Sequence, residues 1–346
     1  MTARGLYFSH PVCLEHDPRE LSPHHPDTPE RLIVLEHALA EREWLGWERR
    51  AAPPAAAEQL ELAHSAAHVR AMRDLSAAGG GAVDADTFLG SRSFEAALHA
   101  AGGAVEMVRA LLAEEASVAY CGVRPSGHHA ERDRAMGFCV FNNVAVAAAT
   151  ALAERGLSRV MVLDWDVHHG NGTAEIFKAS SCVLFASIHQ SPLYPGTGPL
   201  EDVGSGEGEG HTINLPVPPG SGESLWLALL DRVVLPAAET FEPELILVSA
   251  GYDAHAADPL ADCRLQTGSF VAMASRVRAL AERHGAPLGL VQEGGYDSAV
   301  LAECVCAVMP ALSEEEQVPM SPPAGEEGAA LVERAVEHLA RYWPLA

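Results

Sequence analysis

Five short segments of the chain consist almost entirely of Val, Ile, Leu and other apolar residues. Their hydrophobicity is nearly continuous and does not alternate with polar positions, so it predicts strands that are buried on both faces. Strands have that environment in a parallel sheet covered by helices. The predicted strands lie at 117–123, 159–165, 181–189, 244–251 and 287–295.

Sequence patterns typical of helices lie between these strands and in the last part of the sequence. Residues that cap a helix N-terminus, and glycines that stop a C-terminus, mark the limits of these helices. We predict a helix through 95–115 capped by Ser93, a second opened by Asn142 or Asn143 and ended by Gly156, a third over 268–284 ended by Gly285, and an amphipathic helix over 328–343.

The alternation of strands and helices predicts an α/β fold with an open, mostly parallel sheet and helices on both faces. No internal repeat or linker divides the sequence, so we predict one domain over residues 1–346. Three segments rich in Pro, Gly, Ala or Glu are predicted to be surface loops, namely 51–58, 196–223 and 313–328.

The charge of the chain limits its partners. Lys and Arg total 23 against 47 Asp and Glu, a formal net charge of -24 at pH 7. Nucleic acids and anionic membranes recruit basic patches, so this balance argues against both, although it stays compatible with a cationic substrate. The seven scattered cysteines suit reduced thiols, and neither a signal-peptide apolar region nor an apolar run of ~20 residues is present. We therefore expect a cytoplasmic protein.

Polar clusters follow four of the predicted strands. In an open parallel sheet, ligands bind beyond the carboxyl ends of the strands, so these clusters point to one shared site. Each cluster is built from titratable or metal-binding residues. The four clusters are Arg124–His129, Asp164–Gly172, Gly251–His255 and Glu293–Tyr296.

The second cluster reads DWDVHHGNG and begins at Asp164. In extended backbone, Asp164, Asp166 and His168 share one face, which gathers two carboxylates and an imidazole. Asp253, at the end of the fourth predicted strand, supplies a further carboxylate. Three protein ligands with an open position are typical of a catalytic metal site, and this donor set accepts Zn(II), Fe(II), Co(II) or Mn(II).

Two further features suit hydrolysis beside such a metal. The adjacent His128 and His129 can act as a general acid–base pair. Tyr296 follows two glycines and can donate a hydrogen bond to a developing oxyanion. Each of these residues alone would more often be an ordinary core residue, and it is the neighbouring metal cluster that favours the functional interpretation.

Together these residues resemble the arginase–deacetylase superfamily and, within it, the histone deacetylase family. The run RPSGHHAERDRAMGFCVFNN (124–143) is similar to that family's histidine-pair and tunnel segment. Weaker matches are HHPDTPERL (24–32) and DADTFLGSRSFEAALHAAGG (84–103), and the matches follow the family's order from about residue 5 to 310. The remaining motifs resemble the metal loop, the substrate-rim loop, the second metal loop and the catalytic tyrosine turn, and they read DWDVHHGNGT (164–173), SIHQSPLYPGTG (187–198), SAGYDAHAADPL (249–260) and EGGY (293–296).

The resemblance implies a zinc-dependent deacetylase that hydrolyses the amide of acetyl-lysine or of a related acetylated amine. It implies one catalytic Zn²⁺ per chain, with Asp166, His168 and Asp253 as ligands. His129 then resembles the general acid–base and Tyr296 the phenol that polarises the acyl carbonyl. The other implied roles fall to His128 as electrostatic partner, Asp164 and Asn171 as partners of the two histidines, Phe138, Tyr194, Gly137, Leu260 and Asp86 as substrate contacts, and Asp164, Asp166, His168 and Ser187 around a structural K⁺.

Three positions depart from parts of the family pattern. Asn171 stands where class I enzymes carry an aspartate, so the chain resembles the class II branch, and a neutral partner makes His129 less basic. Tyr194 adds a hydroxyl to a tunnel wall where many relatives have Phe. Leu260 stands where polyamine-specific relatives place a glutamate, so the resemblance leans away from polyamines.

Two other functions stay open at this point. A dinuclear manganese ureohydrolase shares the fold, but it needs more carboxylates, and His255 stands where arginases carry one. A non-catalytic module that binds acyl-lysine could dispense with His129 and Tyr296, yet both are present. The predicted partner is an acylated lysine peptide or a small acylated amine, with neither nucleic acid nor membrane, and the 15–30 loop is a hypothesis for homo-oligomerisation.

Overall fold

A parallel sheet forms the centre of the molecule, whose computed structural model describes residues 5–313 and 326–345. The strands, in chain order, are β1 Leu6–Ser9, β2 Glu48–Ala51, β3 Gly80–Ala82, β4 Phe88–Gly90, β5 Val118–Cys121, β6 Val160–Asp164, β7 Val183–Gln190, β8 Thr212–Val217, β9 Leu245–Ala250 and β10 Leu288–Gln292. Eight of them form the sheet in the order β2-β1-β5-β10-β9-β6-β7-β8, with every neighbouring pair parallel. The remaining two, β3 and β4, form an antiparallel hairpin.

Helices surround the sheet. They are α1 Glu30–Glu41, α2 Ala57–Ala63, α3 Ala66–Ala77, α4 Ser93–Leu112, α5 Asn143–Arg155, α6 Asn171–Phe177, α7 Glu223–Leu229, α8 Leu235–Phe241, α9 Thr267–His284, α10 Ser298–Ser313 and α11 Glu326–Leu339. One packed group contains α1, α10 and α9, and another contains α2, α4 and α5. Every residue of β5, β6, β7, β9 and β10 is buried, as the continuous apolar runs predict. The predicted α/β class is therefore confirmed.

Most of the predicted helix limits are correct. Asn142 caps α5, since its side-chain oxygen accepts a hydrogen bond from the Ala145 N–H at 3.0 Å. Gly156 and Gly285 end α5 and α9 in the left-handed conformation, with φ of 67° and 62°. The prediction for Ser93 is wrong. Ser93 is the first residue of α4 rather than its cap, and its hydroxyl accepts the Gly90 N–H at 2.8 Å.

The segment 196–223 is not only a surface loop, because it contains β8. β8 is buried along most of its length and pairs with β7 alone. Its sequence TINLPV contains Pro216, and proline is tolerated in an edge strand, which has one unpaired side.

In the segment 51–58 only residues 52–56 lie outside strands and helices, and most of 313–328 falls outside the described residues. Across residues 5–313 and 326–345, no helix is long and apolar enough to span a bilayer.

His64 connects two segments near the carboxyl ends of the strands. Its Nε2 accepts the Asn142 N–H at 2.8 Å, and its Nδ1 donates to the Glu131 carbonyl at 2.9 Å. Burial, helped by the neighbouring His68, lowers the pKa of His64 to about 3. The folded chain therefore holds this imidazole neutral at pH values at which the unfolded chain binds a proton.

We expect His64 to make the fold acid-sensitive. As the pH falls from about 6.5 towards 3, the unfolded state gains a proton that the folded state refuses, which lowers the free energy of unfolding by about 1.4 kcal/mol per pH unit. In His64→Gln this contribution to the slope should vanish in urea titrations between pH 4.5 and 6. His37→Gln is the matched control, because that imidazole is 73% exposed. Equal slopes in His64→Gln and the wild type would contradict the assignment.

Candidate metal centre

The four polar clusters meet at one end of the sheet. They follow β5, β6, β9 and β10, which occupy adjacent positions in the order β5-β10-β9-β6. Because these strands are parallel, the loops after them emerge at the same edge. The convergence predicted from sequence is therefore present.

Asp166, His168 and Asp253 form a buried cluster. One donor atom from each residue lies within 4.8 Å of the others. The Nδ1 atom of His168 lies 3.1 Å from Asp166 Oδ1 and 3.1 Å from Asp253 Oδ2. Two carboxylates and one imidazole thus aim at a single point.

Backbone groups hold both carboxylates in place. The Gly294 N–H donates to Asp166 Oδ2 at 2.7 Å, and the Val167 N–H donates to Asp253 Oδ1 at 2.9 Å. The other oxygen of each carboxylate, Asp166 Oδ1 or Asp253 Oδ2, faces His168 Nδ1, and Asp166 Oδ1 also accepts the His168 N–H at 2.9 Å. A Cβ at Gly294 would overlap the carboxylates of both aspartates, so this close approach requires glycine.

The charges of the cluster fit a bound cation. Burial acts to lower the pKa of His168, but Asp166 and Asp253 raise it to about 10. Burial and then Asp166 raise the pKa of Asp253. The cluster thus stabilises positive charge at its centre, and two carboxylate oxygens with an imidazole nitrogen are a donor set for a divalent transition metal.

Asp164 is turned away from this cluster, so the prediction that it shares one face with Asp166 and His168 is wrong, because the extended strand ends at Asp164 and the backbone bends over 166–168. Its Oδ2 lies 2.9 Å from His128 Nδ1, and its Oδ1 accepts the Asp166 N–H at 3.0 Å. Burial raises the pKa of Asp164 to about 6 against the opposing charge of His128. Its neighbour on β7, Ser187, contacts His189 Nδ1 at 2.9 Å.

The adjacent histidines have opposite protonation preferences. Their ring centroids are 4.0 Å apart. Burial acts to lower the pKa of His128, but Asp166 and Asp164 raise it well above its usual value. Burial, His128 and His168 lower the pKa of His129 well below its usual value. One imidazole is therefore a cation and the other a neutral base, which is the division of roles that acid–base chemistry needs.

A narrow cavity of about 210 Å³ leads to the cluster. A cavity of larger volume, about 360 Å³, lies near Val118 and Leu288, at the amino ends of β5 and β10, where none of these groups is found. The five residues predicted as substrate contacts all line the narrow cavity, together with Leu193, which sequence reasoning missed. The full lining is Asp86, His129, Gly137, Phe138, His168, Leu193, Tyr194, Leu260 and Tyr296.

The cavity wall depends on an unusual backbone at Gly137 and Phe138. Their φ angles are 56° and 66°, in the region that favours glycine. A Cβ at Gly137 would overlap the ring of His129. Phe138 accepts the left-handed conformation without that freedom, and such strain concentrates at binding sites. The ring of Phe138 packs edge-on against Tyr296, with centroids 5.8 Å apart.

Tyr296 is fixed by groups that sequence reasoning did not assign. Its N–H donates to Asp258 Oδ2 at 2.6 Å. The fully buried Arg31 lies 4.7 Å from the Tyr296 ring centroid, and its Nε donates to the Gly295 carbonyl at 2.7 Å. Burial raises the pKa of the Tyr296 phenol against the opposing charge of Arg31, so the phenol stays protonated and is a hydrogen-bond donor.

Comparisons with known proteins agree with this geometry. The sequence profile of the histone deacetylase domain matches residues 25–312. A histone deacetylase-like amidohydrolase of Pseudomonas aeruginosa is 47% identical over 266 residues, which cover 76% of this chain and 70% of the relative. A probable deacetylase of Archaeoglobus fulgidus is 40% identical over 296 residues, covering 84% and 81% of the two chains. A solved structure, described as the crystal structure of the HDA15 HD domain, superposes with a TM-score of 0.93 at 32% identity and covers 99% of this chain and 96% of that one.

Proposed function

Since this chain belongs to the histone deacetylase family, we propose that it is a zinc-dependent deacetylase whose substrate is acetyl-lysine or a related acetylated amine. One observation carries the proposal. The Asp166, His168 and Asp253 donor set lies at the end of a narrow cavity, beside a neutral imidazole and a protonated phenol. Amide hydrolysis needs a nucleophile, a proton acceptor and a stabilised oxyanion, and this arrangement supplies all three.

Asp166, His168 and Asp253 would hold the zinc ion. When bound, zinc supplies the Lewis acidity that makes water a nucleophile at neutral pH and polarises the acyl carbonyl. The two backbone-anchored carboxylates and the His168 imidazole keep the donor geometry rigid before substrate arrives. Their three-ligand set leaves room for a fourth, exchangeable position.

His129 would move the protons. Its neutral imidazole accepts a proton from the attacking water and then donates it to the leaving amine, which departs poorly as an anion. His128, held cationic by Asp164 and Asp166, stays beside it as a positive charge rather than a second base. This pairing lowers the cost of negative charge that develops on the acyl oxygen.

The cavity lining would select the substrate. Phe138, Tyr194 and Leu260 line a mostly apolar cavity, whose volume of about 210 Å³ suits an extended alkyl chain. Leu260 offers no charge to a second ammonium group, which favours an acyl-lysine side chain over a polyamine. Asp86 lies at the cavity lining as an acceptor for substrate backbone.

The dinuclear alternative receives no support from the donor geometry. Within residues 5–313 and 326–345, Asp166, His168 and Asp253 form the one group of three such donors that converge. His255 turns back to its own loop, where its Nδ1 accepts the Ala257 N–H at 3.1 Å. A second metal would therefore lack the carboxylates that a dinuclear manganese site needs.

Zinc-loaded enzyme should hydrolyse a fluorogenic acetyl-lysine peptide, with about one zinc per chain by elemental analysis. The same preparation is assayed on a small acetylated diamine and on arginine, with urea release as the readout for the latter. Turnover of the peptide supports the proposal in full, and turnover of the diamine alone moves the substrate to small amines. Two metals per chain with urea release, or one zinc with no turnover of any substrate, would overturn the deacetylase assignment.

Four remaining expectations are part of the same proposal. A structural K⁺ near Asp164, Asp166, His168 and Ser187 is proposed on the resemblance alone. The single domain over residues 1–346, the cytoplasmic location and homo-oligomerisation through the 15–30 loop also remain predictions. Light scattering of a chain that lacks this loop checks the last of these, because an unchanged assembly size would contradict it.

A further inference from the structure

Asn171 poses a problem of orientation for His129. Its Oδ1 lies 2.8 Å from His129 Nδ1. An asparagine side chain can present either its carbonyl oxygen or its NH₂ group to a neighbouring ring nitrogen. A carbonyl oxygen requires a protonated Nδ1, whereas an NH₂ group requires a bare Nδ1. The two orientations therefore select opposite tautomers of His129.

Glu131 removes that ambiguity. Asn171 Nδ2 lies 2.8 Å from Glu131 Oε1, and a carboxylate only accepts hydrogen bonds. The two weaker contacts of Nδ2 also involve acceptors, namely the His129 carbonyl at 3.4 Å and Met136 Sδ at 3.4 Å. A reversed amide would place its carbonyl oxygen against three acceptors. The NH₂ group must face Glu131, so the oxygen must face His129.

The orientation of the Asn171 amide determines which nitrogen of His129 lacks a hydrogen. With Oδ1 accepting, His129 Nδ1 carries the hydrogen and Nε2 keeps its lone pair. His129 lines the cavity, so the bare nitrogen is the one available to a reacting group. The opposite tautomer would leave an N–H where proton acceptance must begin. The hydrogen-bond chain from Glu131 through Asn171 thus sets which nitrogen is the base.

Glu131 is itself well anchored. Its N–H donates to the Arg134 carbonyl at 2.9 Å, and its carbonyl accepts from His64 Nδ1 at 2.9 Å. The nearby Lys178 lies 3.7 Å from Glu175, which gives that ammonium a carboxylate partner of its own. The Glu131 side chain shares a separate cavity of about 240 Å³ with Asn171, so it contacts the site from behind rather than through the substrate channel.

We propose that Glu131 is a positioning residue that fixes the reactive tautomer of His129 by orienting the amide of Asn171. This inference rests on the proposed function only for its catalytic consequence. The tautomer of His129 is a property of the folded chain and is measured without substrate. The two claims can therefore fail independently.

The direct test is nitrogen NMR of zinc-loaded protein labelled with ¹⁵N-histidine. Long-range proton–nitrogen correlations distinguish the two tautomers, and the signals that disappear in His129→Gln identify His129. We expect the wild type to show protonated Nδ1, and Glu131→Met to show a mixture of tautomers. Glu131→Gln should keep the wild-type pattern, because its own carbonyl oxygen can accept from Asn171. An unchanged His129 pattern in Glu131→Met would overturn the proposal.

Turnover gives a second readout. Glu131→Met should lower kcat for the acetyl-lysine peptide roughly tenfold or more, the range seen when an outer partner of a site is lost, with KM little changed. Melting temperature and zinc content are measured in parallel and should match the wild type. If the wild type hydrolyses no peptide but Glu131→Met still changes the tautomer of His129, the proposed function is wrong and this inference still holds.

A double variant separates orientation from mere structural support. Asn171→Asp places a carboxylate 2.8 Å from Glu131, so the two must repel or share a proton, and kcat should fall. An aspartate needs no orienting partner, since both of its oxygens accept. Adding Glu131→Gln supplies a donor to the introduced carboxylate and should restore kcat above that of Asn171→Asp alone. Losses that simply multiply in the double variant would overturn the proposal, and this comparison holds even if Glu131→Met fails to fold.

Discussion

Asp253→Asn should abolish the thermal stabilisation that added zinc gives the wild type, and should lower acetyl-lysine hydrolysis by more than ~100-fold, beyond the usual effect of losing an outer partner. Asn keeps the shape of Asp253 and can still accept the Val167 N–H. It removes the charged oxygen that lies 3.1 Å from His168 Nδ1. The measurement is differential scanning fluorimetry with and without zinc, together with zinc content and turnover.

The metal-free variant should melt no lower than the metal-free wild type. Burial and the charge of Asp166 raise the pKa of Asp253, which shows that the ionised carboxyl is costly where it lies. Removing it relieves the repulsion between two buried carboxylates. The pair of carboxylates, Asp166 and Asp253, thus destabilises the metal-free protein, and we expect a bound metal to offset that cost. Such a trade-off is characteristic of functional sites.

Asp262→Asn is the matched control. Asp262 lies on the loop after β9, as Asp253 does, but its side chain is exposed. This variant should keep the wild-type zinc shift and turnover. A full zinc shift in Asp253→Asn would mean that the metal binds elsewhere, and the site would have to be reassigned.

The sequence predicts the centre of the fold better than its edges. The runs that form β6 and β9 are continuous in Val, Ile and Leu, because both faces of these strands are covered. β2 reads ERRA and is mostly exposed, so no hydrophobic signal marks it, and its pairing with β1 defines it. β8 was missed because Pro216 and its polar residues are typical of a loop, and only its position at the sheet edge allows them.

The same limit applies to the site. Asp166 and His168 are two residues apart on one loop, so their short spacing keeps them close before any fold is known. Arg31 contacts the Gly295 carbonyl across 264 residues of sequence, and its helix shows no local sign of that role. Glu131 and Asn171 are 40 residues apart, and the contact depends on how the loops after β5 and β6 meet. Motif spacing identifies ligands, whereas the partners that orient them depend on tertiary structure.

Tyr296→Phe should lower kcat for the acetyl-lysine peptide by about 10²- to 10³-fold, the usual effect of removing one oxyanion donor. The phenol is protonated at neutral pH because burial raises its pKa, so the substitution removes a hydrogen bond rather than a charge. Asp258 and Arg31 hold the Tyr296 backbone and ring, and neither contact involves the hydroxyl. Zinc content and melting temperature should therefore equal those of the wild type.

Whether the loss of activity in Tyr296→Phe appears in kcat or in KM shows which species the phenol contacts. An interaction made only with the oxyanion lowers kcat and kcat/KM equally, whereas one made with the bound carbonyl raises KM. We expect the first pattern, because Tyr296 lines the cavity beside His168, where the acyl group of the proposed substrate would react. Tyr7→Phe is the matched control, since Tyr7 is buried in β1 and does not line this cavity. Unchanged turnover in zinc-loaded Tyr296→Phe would show that another donor stabilises the oxyanion, and His128, a cation beside His129, would then be the group to substitute next.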